Sequence, residues 1–265
     1  MFRAFWASPD DPYVDALITH SRVLALLGYV HQARLLRDEA LAEARRLSPY
    51  NWVFALAQAW YGDWAVERMP STKTLRAAEE ILAVSGEQGF SLWLGVGDIM
   101  RGWYLSVLGQ PAEAIPLLLR GVAMRRATGA KLVMPLFLMA LAKGYRIAAQ
   151  PEEGLERLAE ATKLVEITQE RWAEAEMHRL RGTLLLCMNS PTAAEDSYQK
   201  ALVVARQQSA KLWELRAAIS LARLWSDQGK GDDARALLAP VYGWFTEGFD
   251  TPVLQDAKAL LDELA

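Results

Sequence analysis

Apolar positions along this chain recur at helical spacing, and the recurrence itself repeats. At the C-terminal end Leu254, Ala257, Leu260, Leu261 and Leu264 form one stripe, while Gln255, Asp256, Lys258, Asp262 and Glu263 take the opposite face. That is the pattern of an amphipathic helix. Upstream, Pro111, Pro151, Pro191 and Gly231 stand 40 residues apart, each after a polar turn and each opening a predicted helix. Phe90-Ser91-Leu92, Ala130-Lys131-Leu132, Glu170-Arg171-Trp172 and Ala210-Lys211-Leu212 fall on the same period and open the helix before it. A fixed period of this length, filled by two amphipathic helices, predicts an all-α solenoid.

A finer code runs inside the period. Gly102, Ala142, Gly182 and Ala222 place a small residue late in each first helix. Ala114, Gly154, Ala194 and Ala234 place another early in each second helix. Bulky Leu118, Leu158, Tyr198 and Leu238 follow four residues on, then Gly121, Ala161, Ala201 and Val241 three beyond those. Small residues let two helix backbones approach, and the bulky one fills the space beside the crossing. This order of small and large residues resembles the tetratricopeptide repeat, with about six residues added per unit. The resemblance implies a right-handed α-solenoid whose first helices line a concave groove.

Two less regular pairs precede these four. The first reads Asp11 to Leu27 and Val30 to Leu47, with Ala33, Leu36 and Ala40 on one face. The second reads Asn51 to Arg68 and, after a break at Pro70, Ser71 to about Gln88. Thr251 and Pro252 are suited to cap and start a last helix that covers the open end. The expected organisation is one unit over 1–265: two irregular pairs in 1–89, four 40-residue repeats in 90–250, and a capping helix in 251–265. That makes about six pairs in all.

The last repeat, from Leu221-Ala222-Arg223-Leu224-Trp225 to Gly248-Phe249-Asp250-Thr251, is similar to the C-terminal end of large bacterial signalling proteins. So are Gly89-Phe90-Ser91-Leu92-Trp93-Leu94 and Glu174 to Gly182. In that family a cyclase or DNA-binding module and a P-loop ATPase precede a long tetratricopeptide array. No Gly-x-x-x-x-Gly-Lys-Ser/Thr loop occurs in this sequence, so the resemblance does not extend to ATPase activity. The chain reads as a stand-alone array or as a piece of a longer regulator.

Composition narrows the function classes. Of 265 residues, 52% are hydrophobic and 23% charged, ample for a continuous core. A net charge of −3 gives no reason to expect direct nucleic-acid binding. Cys187 is the single cysteine, which excludes intrachain disulfides and multi-cysteine metal sites. It lies in an apolar run and is expected to be buried. The N-terminal Met1 to Trp6 lacks the apolar core of a secretory signal. The longest apolar run, Leu132 to Ala142, is shorter than the roughly 20 residues that a membrane span needs. A cytoplasmic, non-membrane protein is the expectation.

Chemistry is sparse. Glu174 and His178 share a helix face, but three histidines in the chain offer little for a metal. No catalytic residues, no metal site and no cofactor are expected, and the chain is read as a non-enzyme. Ten tryptophans cluster toward the second and third pairs, as Trp52, Trp60, Trp64, Trp93 and Trp103. They read as core packing, with an aromatic ligand pocket as the alternative. Carrying the groove geometry over, the inward positions include Val96, Ile99, Leu136 and Met139. The candidate binding residues on that face are Trp103, Lys143, Arg146, Glu176, Arg179, Arg216 and Arg223. Guanidinium forks hold carboxylates, so the expected partner is an extended protein or peptide segment carrying acidic groups. The plain alternative is that these are ordinary ion pairs, with Glu176 or Asp227 as partners. Two further readings are an inducer-like small molecule in the array and self-association through an uncovered first pair.

Overall fold

The computed structural model describes residues 9–66 and 71–265. The expected helix end at Arg68, the break at Pro70 and the stretch Met1 to Trp6 lie outside the described residues. Thirteen α-helices account for nearly all the described residues, with no strand among them. They are α1 (Pro12–Leu27), α2 (Val30–Leu47), α3 (Pro49–Val66), α4 (Thr72–Gln88), α5 (Ser91–Val107), α6 (Pro111–Ala127) and α7 (Met134–Ile147). The chain continues through α8 (Pro151–Thr168), α9 (Glu174–Cys187), α10 (Pro191–Gln207), α11 (Lys211–Asp227), α12 (Gly231–Tyr242) and α13 (Pro252–Glu263). No described helix is long and apolar enough to cross a membrane.

Successive helices pack as hairpins, and the odd-numbered helices also pack on one another in order from α1 to α11. The even-numbered ones therefore form an outer layer, and α13 covers α11 and α12. Burial follows this division. Every residue of α7 from Met134 to Gly144 is buried, whereas α8 buries Gly154, Leu158, Ala161 and Val165 along a single stripe.

The repeat code is realised as close backbone approach. A Cβ on Gly182 would stand 2.5 Å from the Tyr198 ring and 3.0 Å from the Ala194 carbonyl. On Gly121 it would stand 2.5 Å from the Gly95 carbonyl. Small and bulky positions of the code thus face each other across each hairpin. The turns add a half-period. Gly89, Gly109, Gly129, Ala149, Gln169, Asn189, Ser209 and Gly229 all have positive φ, each closing a helix in the left-handed conformation that glycine favours. At most of them the next amide reaches back into the last helical turn, as Gln150 N–H does to the Tyr145 carbonyl at 2.9 Å.

Three expectations about helix starts need correction. α7 and α9 open at Met134 and Glu174, not at Ala130 and Glu170. The preceding residues are held as turns by side-chain partners. Glu170 accepts from the Val133 amide at 2.7 Å and from the Trp172 indole at 2.9 Å, and Val133 takes a left-handed φ of 66°, which no helix continues through. Thr251 precedes α13, but its hydroxyl donates to the Gly248 carbonyl at 2.6 Å instead of capping the helix.

The array curls until its ends meet. α11 packs on α1 and α3 as well as on α9. The segment after α12 lies on the start of α2: Glu247 accepts from the His31 amide at 2.8 Å, Arg34 pairs with Asp250 at 2.6 Å, and Trp244 rests on Tyr29 with ring centroids 5.8 Å apart. Gly28, at φ +97°, gives Trp244 room, since a Cβ there would stand 2.6 Å from its ring. Inside, the α3 aromatics reach across to α7, and Trp60 stacks on Phe137 at 6.4 Å and 13°. The expected open trough is therefore filled over much of its length. Val96, Ile99, Leu136 and Met139 are almost wholly buried core residues.

Candidate functional site

What stays open is one end of the groove, and its floor is a charge cluster. Glu176 and Arg216 occupy the same repeat position on neighbouring inner helices, 40 residues apart, and Arg179 lies one turn after Glu176 on α9. Lys143 enters from the last part of α7. Arg179 forks onto the carboxylate, with Nε to Oε2 at 2.7 Å and Nη2 to Oε1 at 2.9 Å. Arg216 Nη2 reaches Oε1 at 2.9 Å and Lys143 Nζ at 3.2 Å. The Glu176 side chain is 0% exposed. Burial works to raise its pKa, but Arg179, Arg216 and Lys143 together outweigh burial and hold it well below the usual carboxylate range.

Lys143 has the opposite balance. Burial drives its pKa well below that of a free lysine; Glu176 opposes this, while Arg216 and Arg179 add to it. Its ammonium lies 3.8 Å from the centroid of the Trp64 ring and 5.4 Å from that of Trp103, so two indole faces substitute for part of its lost hydration. Arg216 also donates from Nη1 to the Trp64 carbonyl at 2.9 Å.

Above this floor lies a cavity of about 570 Å³ at the C-terminal ends of α5, α7, α9 and α11. Six of the seven residues singled out from the sequence line it: Trp103, Lys143, Arg146, Arg179, Arg216 and Arg223. Glu176, the seventh, lies beneath them. Arg223 pairs with Asp256 of the capping helix, not with Asp227. Arg146 and Asp227 line the cavity with no ion-pair partner among the described residues. Arg179 Nη1 is 3.3 Å from Ser220 Oγ and 3.4 Å from Thr183 Oγ1, and Thr183 Oγ1 is 3.3 Å from the Tyr198 hydroxyl. Val107, Ile147, Leu186 and Leu224 form apolar wall. A second cavity of about 110 Å³ adjoins through Arg179, Arg216 and Arg223, and Asp256 lines it.

Sequence reasoning misses Trp64, Ser220, Tyr198 and Asp256. Trp64 belongs to an irregular pair and arrives only by ring closure. Tyr198 reads as a packing residue of an outer helix, and nothing in the pattern marks Ser220. Trp60, Trp64 and Trp93 are buried as core. Cys187 is exposed, contrary to expectation, because it ends α9 where the apolar run passes into the turn. Glu174 accepts from Arg171 at 3.0 Å.

This geometry has parallels among solved structures. A Rap protein complexed with competence and sporulation factor superposes with a TM-score of 0.59 at 10% identity, covering 96% of this chain and 80% of that one. A STAND signal-transduction ATPase with a tetratricopeptide repeat sensor, from Pyrococcus horikoshii, superposes with a TM-score of 0.57 at 13% identity, covering 95% of this chain and 38% of that one. No protein-family model and no curated protein matches the sequence. Likeness at such identities concerns fold, and it agrees with the helix order and the small–large code: the chain is an array of tetratricopeptide-like helix pairs, similar to the array of a signalling ATPase.

Proposed function

We propose that this array is a non-catalytic binding scaffold, the sensor or adaptor part of a bacterial signalling or transcription-regulatory protein in the cytoplasm, and that it takes an acidic protein segment in the end cavity. The observation that carries this reading is the convergence of Lys143, Arg146, Arg179, Arg216 and Arg223 on one concave space. Cations focused in a partly desolvated cavity attract anionic groups and reject cationic ones. The cavity is preformed, so binding orders few receptor side chains. The two similar structures lend support by their descriptions, one holding a bound factor and the other carrying a repeat sensor.

The test is fluorescence anisotropy with capped hexapeptides of varied acidic content. Saturable binding that grows with acidic content and is lost in Arg146→Glu and Arg223→Glu supports the scaffold reading. Binding indifferent to both charge reversals removes the cavity from it. A second reading, a small organic anion as inducer, is favoured by the cavity volume, which lies in the range of small-molecule sites. Thermal-shift screening of organic acids distinguishes it, because a ligand that binds only the folded state raises the melting temperature.

A further inference from the structure

The charge balance of the cavity defines its ligand more closely. Five cations, Lys143, Arg146, Arg179, Arg216 and Arg223, face three carboxylates, Glu176, Asp227 and Asp256, a surplus of two positive charges among the described residues. Two of those carboxylates are already engaged: Glu176 by three cations and Asp256 by Arg223. Arg146 has no such partner among the described residues. One carboxylate entering the cavity would leave half of the surplus uncompensated, whereas a phosphomonoester brings about −1.5 to −2 charges.

The donors also differ from a carboxylate site. A carboxylate is planar and is best met by a fork in its own plane, and the Arg179 fork is already occupied by Glu176. Around the cavity lies a set of polar groups on several elements, among which the Thr183 and Ser220 hydroxyls donate to the Arg179 and Arg216 carbonyls at 3.1 and 3.0 Å and accept from Arg179. Arg146 comes from α7, Thr183 from α9, Tyr198 from α10, and Ser220 and Arg223 from α11. A hydroxyl rotor can exchange its carbonyl for a ligand oxygen, and hydroxyls and guanidinium groups arriving from separate directions suit a tetrahedral group with three acceptor oxygens. The apolar wall of Val107, Ile147, Leu186 and Leu224 suits apolar residues flanking that group.

We propose that the cavity binds a phosphomonoester dianion carried on a protein segment, with Arg146 and Arg223 as its principal cationic contacts and the hydroxyls of Thr183, Tyr198 and Ser220 turning from their present partners to donate to it. This rests on the reading of the cavity as the scaffold's binding site.

The test is isothermal titration of the full chain with four probes: capped Leu-phosphoserine-Leu, capped Leu-Glu-Glu-Leu, phenyl phosphate and inorganic phosphate. The expected result is that the phosphopeptide binds at least tenfold more tightly than the doubly acidic peptide of similar charge. It should also bind at least tenfold more tightly than phenyl phosphate. Arg146→Gln should weaken it at least tenfold with no change in melting temperature, and Ser220→Ala by a smaller factor. Equal binding of the two peptides overturns the phosphoryl assignment and leaves the acidic-segment scaffold standing. Equal binding of phenyl phosphate or inorganic phosphate overturns the protein segment as the carrier. Silence from all four probes overturns this proposal and the acidic-segment reading together.

Discussion

The guanidinium of Arg216 donates to the main-chain carbonyl of Trp64 across 152 residues of sequence. One side chain thereby joins the sixth helix pair to the second, and it also serves the Glu176 cluster. Ring closure and the floor of the cavity are two consequences of the same residue.

Replacing Arg216 by Met should therefore act on both. Hydrogen bonds to charged groups contribute about 1.5–3 kcal/mol, so a stability loss of about 2 kcal/mol or more is expected in urea unfolding. The radius of gyration from small-angle scattering should grow as the first two pairs separate from the last. An unchanged radius would mean that Trp244, Glu247 and Asp250 hold the ring shut without Arg216.

Glu176 and Lys143 should respond very differently to neutralisation. Glu176→Gln leaves three buried cations facing one another, and breaking a buried charge pair costs about 3–5 kcal/mol. Lys143→Met removes a cation that burial already disfavours and leaves Arg179 and Arg216 on the carboxylate. A thioether also packs well on the Trp64 and Trp103 faces. The expected change for Lys143→Met is within about 1 kcal/mol. Equal losses in denaturant melts of the two variants would refute this division of roles.

These two groups also set a pH dependence of the same sign in two separate windows, because each has a folded pKa below its unfolded one. Glu176 is held below its ordinary value of 4.5 by its cations against the pull of burial. Its contribution is thus present above pH 4.5 and is lost as pH falls through the lower folded value. Lys143 is depressed below 10.5, chiefly by burial, so the unfolded chain binds more protons in the window between the folded value and 10.5. Stability should rise with pH through that window. Melting curves of the parent and Lys143→Met should diverge there, with the rise absent in the variant.

The turns offer a stabilising substitution. Ala149 adopts φ 57°, a left-handed conformation that costs a residue with a Cβ about 1–2 kcal/mol. Gly109 and Gly229 hold the same place in their own repeats. Ala149→Gly should raise stability by about 1 kcal/mol, while Asn189→Gly should give less, because asparagine tolerates this conformation. Gly182→Ala should do the reverse, since its methyl group would meet the Tyr198 ring at 2.5 Å; overpacking of this kind costs about 1–3 kcal/mol. Thermal melts of the three variants give the order directly.

Much of this architecture was legible in the sequence because its causes are local. Helix starts at Pro111, Pro151 and Pro191, the small residues at hairpin crossings and the shared face of Lys143, Arg179 and Arg216 all follow from spacing along the chain. Each is decided by the 3.6-residue period or by contact within one hairpin. The half-period of the turns was hidden, because Ala149, Gln169 and Ser209 adopt a backbone conformation that their side chains do not advertise. The closed ring was not legible at all. It depends on small rotations summed over six pairs and on the last segment meeting Gly28 and Tyr29 more than two hundred residues before it. That accumulated curvature, written at no single position, decided that Trp64 joins the charge cluster, that the middle of the groove fills with core, and that one cationic cavity remains open at its end.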